Sequence, residues 1–275
     1  MSAIGYIQAH AFASNAQIPL RDVAVVVTAP DDTAIAMRLT DRSGLIPMIE
    51  IPVPNLSESQ EPGAEEKPYA LVNMYAFRNG FGPFESRNIQ VFAGTTTFQD
   101  IKLIPLSQLP QGKEDSINFV DYIKNAASSE IYPTWEESAL RANILAIVSF
   151  ALNRVYTEFY RSRGYDFDIT NNTAYDQAFV NGRSFFTNIS PLVDGMFNDY
   201  IRRPGFVEPL AAKYCNGTTV TCEGMSQWGS QELAQQGYNS VQILRSYYGD
   251  IEIVTNAPVR NYTSSYPGPP IRRGN

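Results

Sequence analysis

Two short blocks of the sequence carry the residues best suited to acid–base chemistry and to sugar binding. The first is residues 128–135, Ser-Ser-Glu-Ile-Tyr-Pro-Thr-Trp, where Glu130 is a single carboxylate between a helix-like segment and a proline. Partial burial among apolar and aromatic neighbours would raise the pKa of this carboxyl group. A carboxyl group that is protonated near neutral pH is what general-acid cleavage of a glycosidic bond requires. Position alone favours a simpler alternative, a solvated surface glutamate.

The second block is residues 224–230, Gly-Met-Ser-Gln-Trp-Gly-Ser, at a turn that leads into a short helix predicted over residues 231–236. Ser226 and Gln227 offer hydrogen-bond donors and acceptors, and Trp228 offers a face for stacking on a sugar. The glycines allow a close approach of the backbone. Packing of Trp228 in a core is the alternative. Glu223, directly before the block, is a candidate second carboxylate.

The order of these blocks resembles the catalytic module of the family that contains stage II sporulation protein D and the amidase enhancer LytB. In that family, a small residue, Ser, Glu, an apolar residue and Pro precede a long helix with the pattern Ala-Leu-basic-Ala. Residues 129–131, Pro133 and residues 139–142 match this pattern. The family's closing signature is matched from Gly224 to Gly249, with Ser230 in place of an alanine. The resemblance covers residues from about 116 to 254.

This resemblance implies a lytic transglycosylase that cleaves N-acetylmuramic acid–N-acetylglucosamine strands of peptidoglycan. It implies that Glu130 is the catalytic acid and base. Since the attacking hydroxyl belongs to the substrate, one carboxyl group could serve, whereas glycosidases that use water normally need two. The residues implied in substrate binding are Tyr175, Gln177, Ser226, Gln227, Trp228 and Tyr247.

Some members of the family hold zinc with two cysteines and a histidine, in a stretch that often has the form Asp-Ile-Cys and then Cys-Gln-x-Tyr. This chain has Thr170 and Asp176 where those cysteines would stand, and Gln177 matches. The only histidine, His10, lies far away in the sequence. The resemblance therefore implies a branch that uses no metal, and we expect no cofactor.

A β-sandwich before such a module and a Pro-rich segment after it further resemble the spore cortex-lytic enzymes of the SleC type. That likeness implies a cell-wall location, with spore-cortex peptidoglycan as the partner. It also implies a C-terminal wall-binding domain that is absent here, or an activating protease. The start of the chain lacks the basic and apolar regions of an ordinary secretory signal peptide.

Two other functions are compatible with the sequence. The first is an N-acetylmuramoyl-L-alanine amidase, although most amidases need a metal and this chain lacks the histidines of a usual zinc site. The second is a non-catalytic module that binds the wall or activates an amidase. A tail lysin of a phage or injection system would use the transglycosylase chemistry in another setting.

The bulk properties exclude some classes of partner. The net charge of −7 and the pI of about 4.9 argue against nucleic acids and anionic lipids, because no basic excess is present to neutralise phosphates. We find no run of apolar residues long enough for a transmembrane helix, so no membrane partner is expected. Cys215 and Cys222 flank a turn-like segment and could close a disulfide loop or stay reduced.

The patterning predicts an α+β protein. Residues 1–106 are predicted to form a small N-terminal β-sandwich of the transthyretin-like type, followed by a linker over residues 107–115. Residues 116–255 are predicted to form a mixed α+β catalytic domain, and residues 256–275 a Pro- and Gly-rich linker or tail. The buried central helix of the catalytic domain is predicted to run to about Arg163, with Thr134 and Glu137 forming a capping box at its start.

Overall fold

The computed structural model describes residues 3–13, 17–63, 67–108, 117–180 and 182–258. The protein is α+β as predicted, with an N-terminal β-sandwich followed by a mixed domain that has a buried central helix. Most of the predicted linker and most of the predicted tail lie outside the described residues. Among the described helices, none has the length and apolar character needed to cross a bilayer.

The sandwich consists of two sheets. Its strands are β1 (Ala3–Ala13), β2 (Ile18–Pro19), β3 (Ala24–Thr28), β4 (Ala34–Leu39), β5 (Ile49–Val53), β6 (Ala70–Phe77), β7 (Phe84–Val91) and β8 (Thr96–Leu103). One sheet has the order β4-β3-β6-β7, and in the other β1 lies beside β8, β5 and β2. Alternate residues fill the space between the sheets, such as Ile7 on β1 and Val25 on β3, both with no exposed surface. The first and last strands of the sandwich, β1 and β8, pair in parallel.

The second part of the chain surrounds a long apolar helix. Its elements are α1 (Phe119–Glu130), α2 (Glu137–Tyr156), β9 (Phe185–Phe186), α3 (Ile189–Met196), β10 (Tyr200–Arg202), β11 (Tyr214–Cys215), β12 (Met225–Ser226), α4 (Gln227–Gln235), α5 (Ser240–Tyr248) and β13 (Glu252–Val254). Helix α2 is buried on almost every side, and α1, α3, α4 and α5 all pack around it. Burial all round explains why its apolar residues show no single stripe.

The ends of α2 differ from the prediction. Residue Glu136 caps the helix and uses no side-chain hydrogen bond, so the Thr134 capping box is wrong. The Glu136 N–H donates instead to Oε1 of Gln231 at 2.9 Å. The helix ends at Tyr156 rather than near residue 163, because Glu158 takes a left-handed conformation with φ of 49°. A tertiary contact therefore replaces the local signal at the start of the helix.

Two further helices start where small polar residues cap them. Helix α4 begins at Gln227, four residues before the predicted start, and the Ser226 hydroxyl accepts a hydrogen bond from the Gly229 N–H at 2.9 Å. Helix α5 begins with a capping box between Asn239 and Gln242. Each cap stabilises the end of its helix by about 1 kcal/mol. Helix α3 ends at Met196, and strand β10 follows it four residues later.

The sandwich and the helical part share an aromatic contact. Phe92 follows the last residue of β7, yet it is fully buried in the core of the helical part. Strand β9 pairs with β8 and so adds a strand from the helical part to a sandwich sheet. In addition, the indole N–H of Trp135 donates to the Ser59 carbonyl at 3.0 Å. These contacts fix the two parts against each other around the cleft described next.

Candidate active site

A cleft of about 410 Å³ lies where the sandwich meets the helical part. Polar groups on one side of it come from the end of α1, from β11 and from the start of α4. Aromatic rings come from residues 132–135 and from α4. The lining includes Glu130, Tyr132, Trp135, Tyr214, Gln227 and Trp228. The two sequence blocks that carry the predicted chemistry therefore meet at one site.

Glu130 is the last residue of α1, and its carboxylate is held by two neighbouring segments. Its Oε1 accepts a hydrogen bond from the Ala178 N–H at 2.6 Å. Its backbone carbonyl accepts from Nε2 of Gln227 at 3.1 Å, and the same nitrogen lies 3.4 Å from Oε2. Oε1 is thus occupied by a short bond, whereas Oε2 has only a long contact. Oε2 is the oxygen available to carry a proton.

Asn125, more than one turn earlier on α1, keeps the Ala178 segment in place. Its side-chain oxygen accepts from the Val180 N–H at 3.0 Å, and its side-chain nitrogen donates to the Val180 carbonyl at 2.7 Å. This pair of hydrogen bonds to the backbone of one residue aligns residues 178–180 along the helix. The Ala178 N–H can then reach the carboxylate of Glu130.

Burial raises the pKa of Glu130 above its ordinary value of 4.5. Hydrogen bonds from Ala178 and Gln227 act in the opposite direction, as do the nearby Tyr214 hydroxyl and the positive charge of Arg183, but burial prevails. The C-terminal end of α1 also disfavours negative charge at this position. The carboxyl group therefore keeps its proton to a higher pH than a surface glutamate does.

Asp176 is the other carboxylate at the cleft, and its environment lowers its pKa instead of raising it. Its side chain has no exposed surface and accepts hydrogen bonds from Arg154 Nε at 2.8 Å, the Tyr160 hydroxyl at 2.5 Å and the Thr170 hydroxyl at 2.7 Å. Burial opposes its ionisation, but these hydrogen bonds outweigh burial and lower the pKa of Asp176. Asp176 is therefore an ionised, structural group, and Glu130 is the only cleft-lining carboxylate, among the described residues, outside an ion pair.

The Thr170–Asp176 contact lies where the family's cysteines would stand. The hydroxyl and the backbone N–H of Thr170 both donate to Asp176 Oδ2. These hydrogen bonds, together with the Arg154–Asp176 ion pair, join residues 170–176 to helix α2. Within the described residues, no three His, Cys, Asp or Glu side chains lie close enough together to hold a metal ion.

The predicted substrate-binding residues divide into two groups. Gln227 and Trp228 line the cleft. Gln177 does not, because it is 1% exposed and both ends of its amide are used, by the Tyr122 hydroxyl and by the Ile147 carbonyl, each at 3.0 Å. The structure therefore corrects the expectation that Gln177 contacts a sugar. It fixes the loop that carries Ala178.

Four other predicted residues lie away from the cleft. Ser226 caps α4, and Tyr247 packs its hydroxyl against Gly229, where an added Cβ would come within 2.1 Å of it. Tyr175 is 69% exposed on the surface of its loop. Glu223 is also exposed and does not line the cleft. None of them is placed to contact a ligand bound beside Glu130.

Sequence reasoning missed the residues that shape the walls of the cleft. Tyr214 is buried beside Glu130, and apart from this proximity its hydroxyl has no hydrogen-bond partner in the described structure. Tyr132 and Trp135 form a cluster with the predicted Trp228, with ring centroids 5.1–5.7 Å apart. The Tyr-Pro-Thr-Trp run is the sequence signal for this cluster, since tryptophan side chains are on average highly buried.

Cys215 and Cys222 form a disulfide that closes the loop beside the cleft. Cys215, Asn216 and Val220 from this loop line the cleft wall. The Asn216 carbonyl also accepts a hydrogen bond from the Trp228 N–H at 3.2 Å. Gly217 has a φ of 86°, and a Cβ there would lie 1.8 Å from the Ser226 hydroxyl oxygen. The loop is thus tied to the start of α4.

Replacing Cys215 and Cys222 together by serine should lower the free energy of unfolding by about 2 kcal/mol, because a short closed loop restricts the unfolded chain. Denaturant unfolding of both proteins, with and without a reductant, measures this difference. Since the chain has only these two cysteines, reductant should lower the stability of the wild type to that of the variant and leave the variant unchanged. Equal stabilities without reductant would contradict this assignment.

Comparisons with known proteins do not identify a family. No family model matches the chain, and no curated protein matches it. Matches among solved structures include the minor pilin GBS52 of Streptococcus agalactiae, with 12% identity and a TM-score of 0.28 over 42% of this chain and 50% of the pilin. A catechol 1,2-dioxygenase variant from Acinetobacter radioresistens matches with 10% identity and a TM-score of 0.28, over 42% of this chain and 56% of that one.

The TIE protein of Bacillus anthracis matches with 11% identity and a TM-score of 0.27, over 38% of this chain and 17% of that protein. The chain thus covers less than two thirds of the length of each of these structures. Likenesses this weak carry no argument about function. The functional conclusion has to come from the cleft itself.

Proposed function

We propose that this protein is a lytic transglycosylase that cleaves the glycan strands of peptidoglycan. The observation that carries the proposal is a single unpaired carboxyl group, Glu130, with a raised pKa in a cleft that has an aromatic wall. Aromatic faces pack well against sugar rings, and the cleft is large enough to hold a small ligand. The sequence resemblance described above names the same residue.

The chemistry follows from the two oxygens of Glu130. In the first step, the proton on Oε2 passes to the glycosidic oxygen, and the bond between that oxygen and C1 of N-acetylmuramic acid breaks. In the second step, the C6 hydroxyl of the same sugar bonds to C1, and its proton returns to the carboxylate. The products are a 1,6-anhydro sugar and a free 4-hydroxyl, and no water is consumed. Ala178 and Gln227 hold the carboxylate in place throughout.

The absence of a second free carboxylate in the described cleft supports this route over hydrolysis. A water-using glycosidase places two carboxyl groups on either side of the scissile bond. Here Asp176 is committed to Arg154, and Glu223 does not line the cleft. One carboxyl group that acts in turn as acid and base is sufficient when the nucleophile belongs to the sugar.

Mass spectrometry of soluble products tests the proposal. Wild type and Glu130→Gln would each be incubated with purified spore cortex and, separately, with vegetative peptidoglycan. We expect anhydro-muramic ends from the wild type only, and more product from cortex if the cortex-lytic likeness holds. Reducing ends would indicate a hydrolase, and freed stem peptides would indicate an amidase. No product from either substrate would favour a binding module.

The proposal also predicts the pH dependence of activity. Because protonated Glu130 is the active form, kcat/KM should fall as pH rises through its pKa. The Arg183 charge lowers that pKa, so Arg183→Gln should move the alkaline limb of the profile to higher pH. Arg183→Lys keeps a positive charge and should leave the limb close to its wild-type position. An alkaline limb that is the same in all three proteins would contradict this arrangement.

A further inference from the structure

The sandwich contributes side chains to the cleft, although the sequence resemblance to the sporulation protein D and LytB family covers only the helical part. Tyr69, just before β6, and Gln90, on β7, both line the cleft that contains Glu130. Both side chains are partly exposed. The ring of Tyr69 lies 5.3 Å from that of Phe92, which in turn lies 5.3 Å from Tyr132. An aromatic row therefore runs from the sandwich to the tryptophans of the helical part.

The amide of Gln90 has a fixed orientation. Its Oε1 accepts a hydrogen bond from Nη2 of Arg183 at 2.5 Å. A guanidinium group can only donate, so it selects the oxygen of the amide and turns the nitrogen away. Within the described structure, Nε2 of Gln90 makes no hydrogen bond to the protein. The cleft thus presents two N–H donors beside an aromatic ring.

Arg183 is suited to this positioning role because it is largely buried and the residue before it is held by the sandwich. The guanidinium is largely buried, which lowers its pKa, and no described carboxylate lies within ion-pair distance of it. Gly182, the preceding residue, is held by the sandwich, since Nε2 of Gln99 donates to its carbonyl at 3.0 Å. The hydrogen bond between Arg183 and Gln90 is therefore held by two sandwich strands, by β7 through Gln90 itself and by β8 through Gln99.

We propose that Tyr69 and Gln90 form a sugar-binding subsite, so that the sandwich is part of the substrate site and not an attached module. The ring of Tyr69 packs against one face of an N-acetylated sugar. The Nε2 group of Gln90 donates to an acetamido carbonyl or a hydroxyl of that sugar. The choice of ligand class rests on the proposed function, while the donor and the ring are features of the cleft.

Binding of tetra-N-acetylchitotetraose, an uncharged β-1,4-linked oligomer of N-acetylglucosamine, tests this subsite. The full chain with Glu130→Gln serves as parent, so that no cleavage interferes. Both tryptophans of the protein, Trp135 and Trp228, line the cleft, and tryptophan fluorescence therefore reports its occupancy directly. We expect the parent to bind and its fluorescence to change.

Two variants probe the two parts of the subsite. Tyr69→Ala removes the ring and should weaken binding about tenfold. Gln90→Glu keeps an acceptor for Arg183 but has no N–H donor, and it should also weaken binding about tenfold without lowering the melting temperature. Tyr6→Ala and Gln8→Glu make the same changes on β1 outside the cleft, and their affinities should stay within about twofold of the parent.

The outcomes separate this subsite from the proposed reaction. Parent-like binding by both Tyr69→Ala and Gln90→Glu overturns the subsite, as does a parent that binds no oligomer at millimolar concentration. If the wild type forms anhydro products in that case, the transglycosylase stands without the subsite. If the variants lose affinity but the wild type cleaves no glycan, the subsite stands and the reaction falls.

Discussion

Glu130→Gln should reduce the initial rate of glycan cleavage by at least about a thousandfold. The amide is nearly the same size and its oxygen can still accept the hydrogen bond from Ala178, but it has no proton to give to the leaving group and cannot recover one from the C6 hydroxyl. A general acid alone typically accounts for a hundredfold to ten-thousandfold. Release of soluble fragments from denuded peptidoglycan, measured as an initial rate, gives the value.

The stability of this variant supplies an independent check. The folded-state pKa of Glu130 is raised, so the stability that this group contributes is complete below its unfolded pKa and is lost as pH rises through the folded value. Above the unfolded value the shift therefore costs stability, because the unfolded chain gains from an ionisation that burial disfavours in the folded protein. Glu130→Gln should melt at a higher temperature than the wild type at pH 7, and the difference should shrink in acid.

Two matched glutamates serve as controls for the loss of activity. Glu136→Gln alters an exposed carboxylate six positions along the chain, and Glu223→Gln alters the candidate second carboxylate. Both variants should keep wild-type rates. A folded Glu130→Gln protein with full activity would remove Glu130 from the mechanism, and a large loss in Glu223→Gln would indicate a two-carboxylate hydrolase.

Asp176→Asn should lower the free energy of unfolding by about 3–5 kcal/mol. The substitution leaves the Arg154 guanidinium, whose side chain is only 13% exposed, without its buried partner. Breaking a buried ion pair by removing one charge is costly for this reason. The Tyr160 and Thr170 hydroxyls would also face an amide that offers one acceptor oxygen instead of two. Chemical denaturation at pH 7 measures the change.

The pH dependence of this effect has the opposite sign to that of Glu130. The pKa of Asp176 is lowered in the folded state, so its stabilisation is present above the unfolded value of about 3.9 and is lost as pH falls through the folded value. The gap between wild type and Asp176→Asn should therefore close in strong acid. Glu137→Gln, which breaks the exposed pair with Arg141, should cost less than about 1 kcal/mol. Equal losses in the free energy of unfolding for the two substitutions would contradict the stabilising role of the buried Arg154–Asp176 pair.

The sequence predicted the fold class, and three of its candidate site residues, Glu130, Gln227 and Trp228, line the cleft. A short apolar run rich in β-branched residues indicated the strand around Val25, and unbroken apolar character indicated the buried helix α2. Strand β4 was not predicted, and its apolar residues Ile35, Met37 and Leu39 are exposed rather than packed in the core. Strand β1 escaped prediction because its inward positions include small alanines, which favour strands weakly.

The roles of individual side chains were harder to predict, because they depend on partners that are distant in sequence. Gln177 has the chemistry of a sugar ligand, yet the fold places it beneath its loop with both amide ends occupied. Tyr69 and Gln90 belong to a different part of the chain, and only the packing around Phe92 brings them to Glu130. The helix start at Glu136 likewise depends on Gln231 rather than on Thr134.

The central claim is that one carboxyl group, Glu130, cleaves the glycan without water. Digestion of peptidoglycan in ¹⁸O-labelled water, followed by mass spectrometry of the fragments, tests this claim most directly. The account predicts anhydro-muramic ends that carry no label, with the whole signal lost in Glu130→Gln. Fragments with one labelled oxygen at C1 of their muramic ends would show that water attacks the bond, and the single-carboxylate mechanism would be wrong.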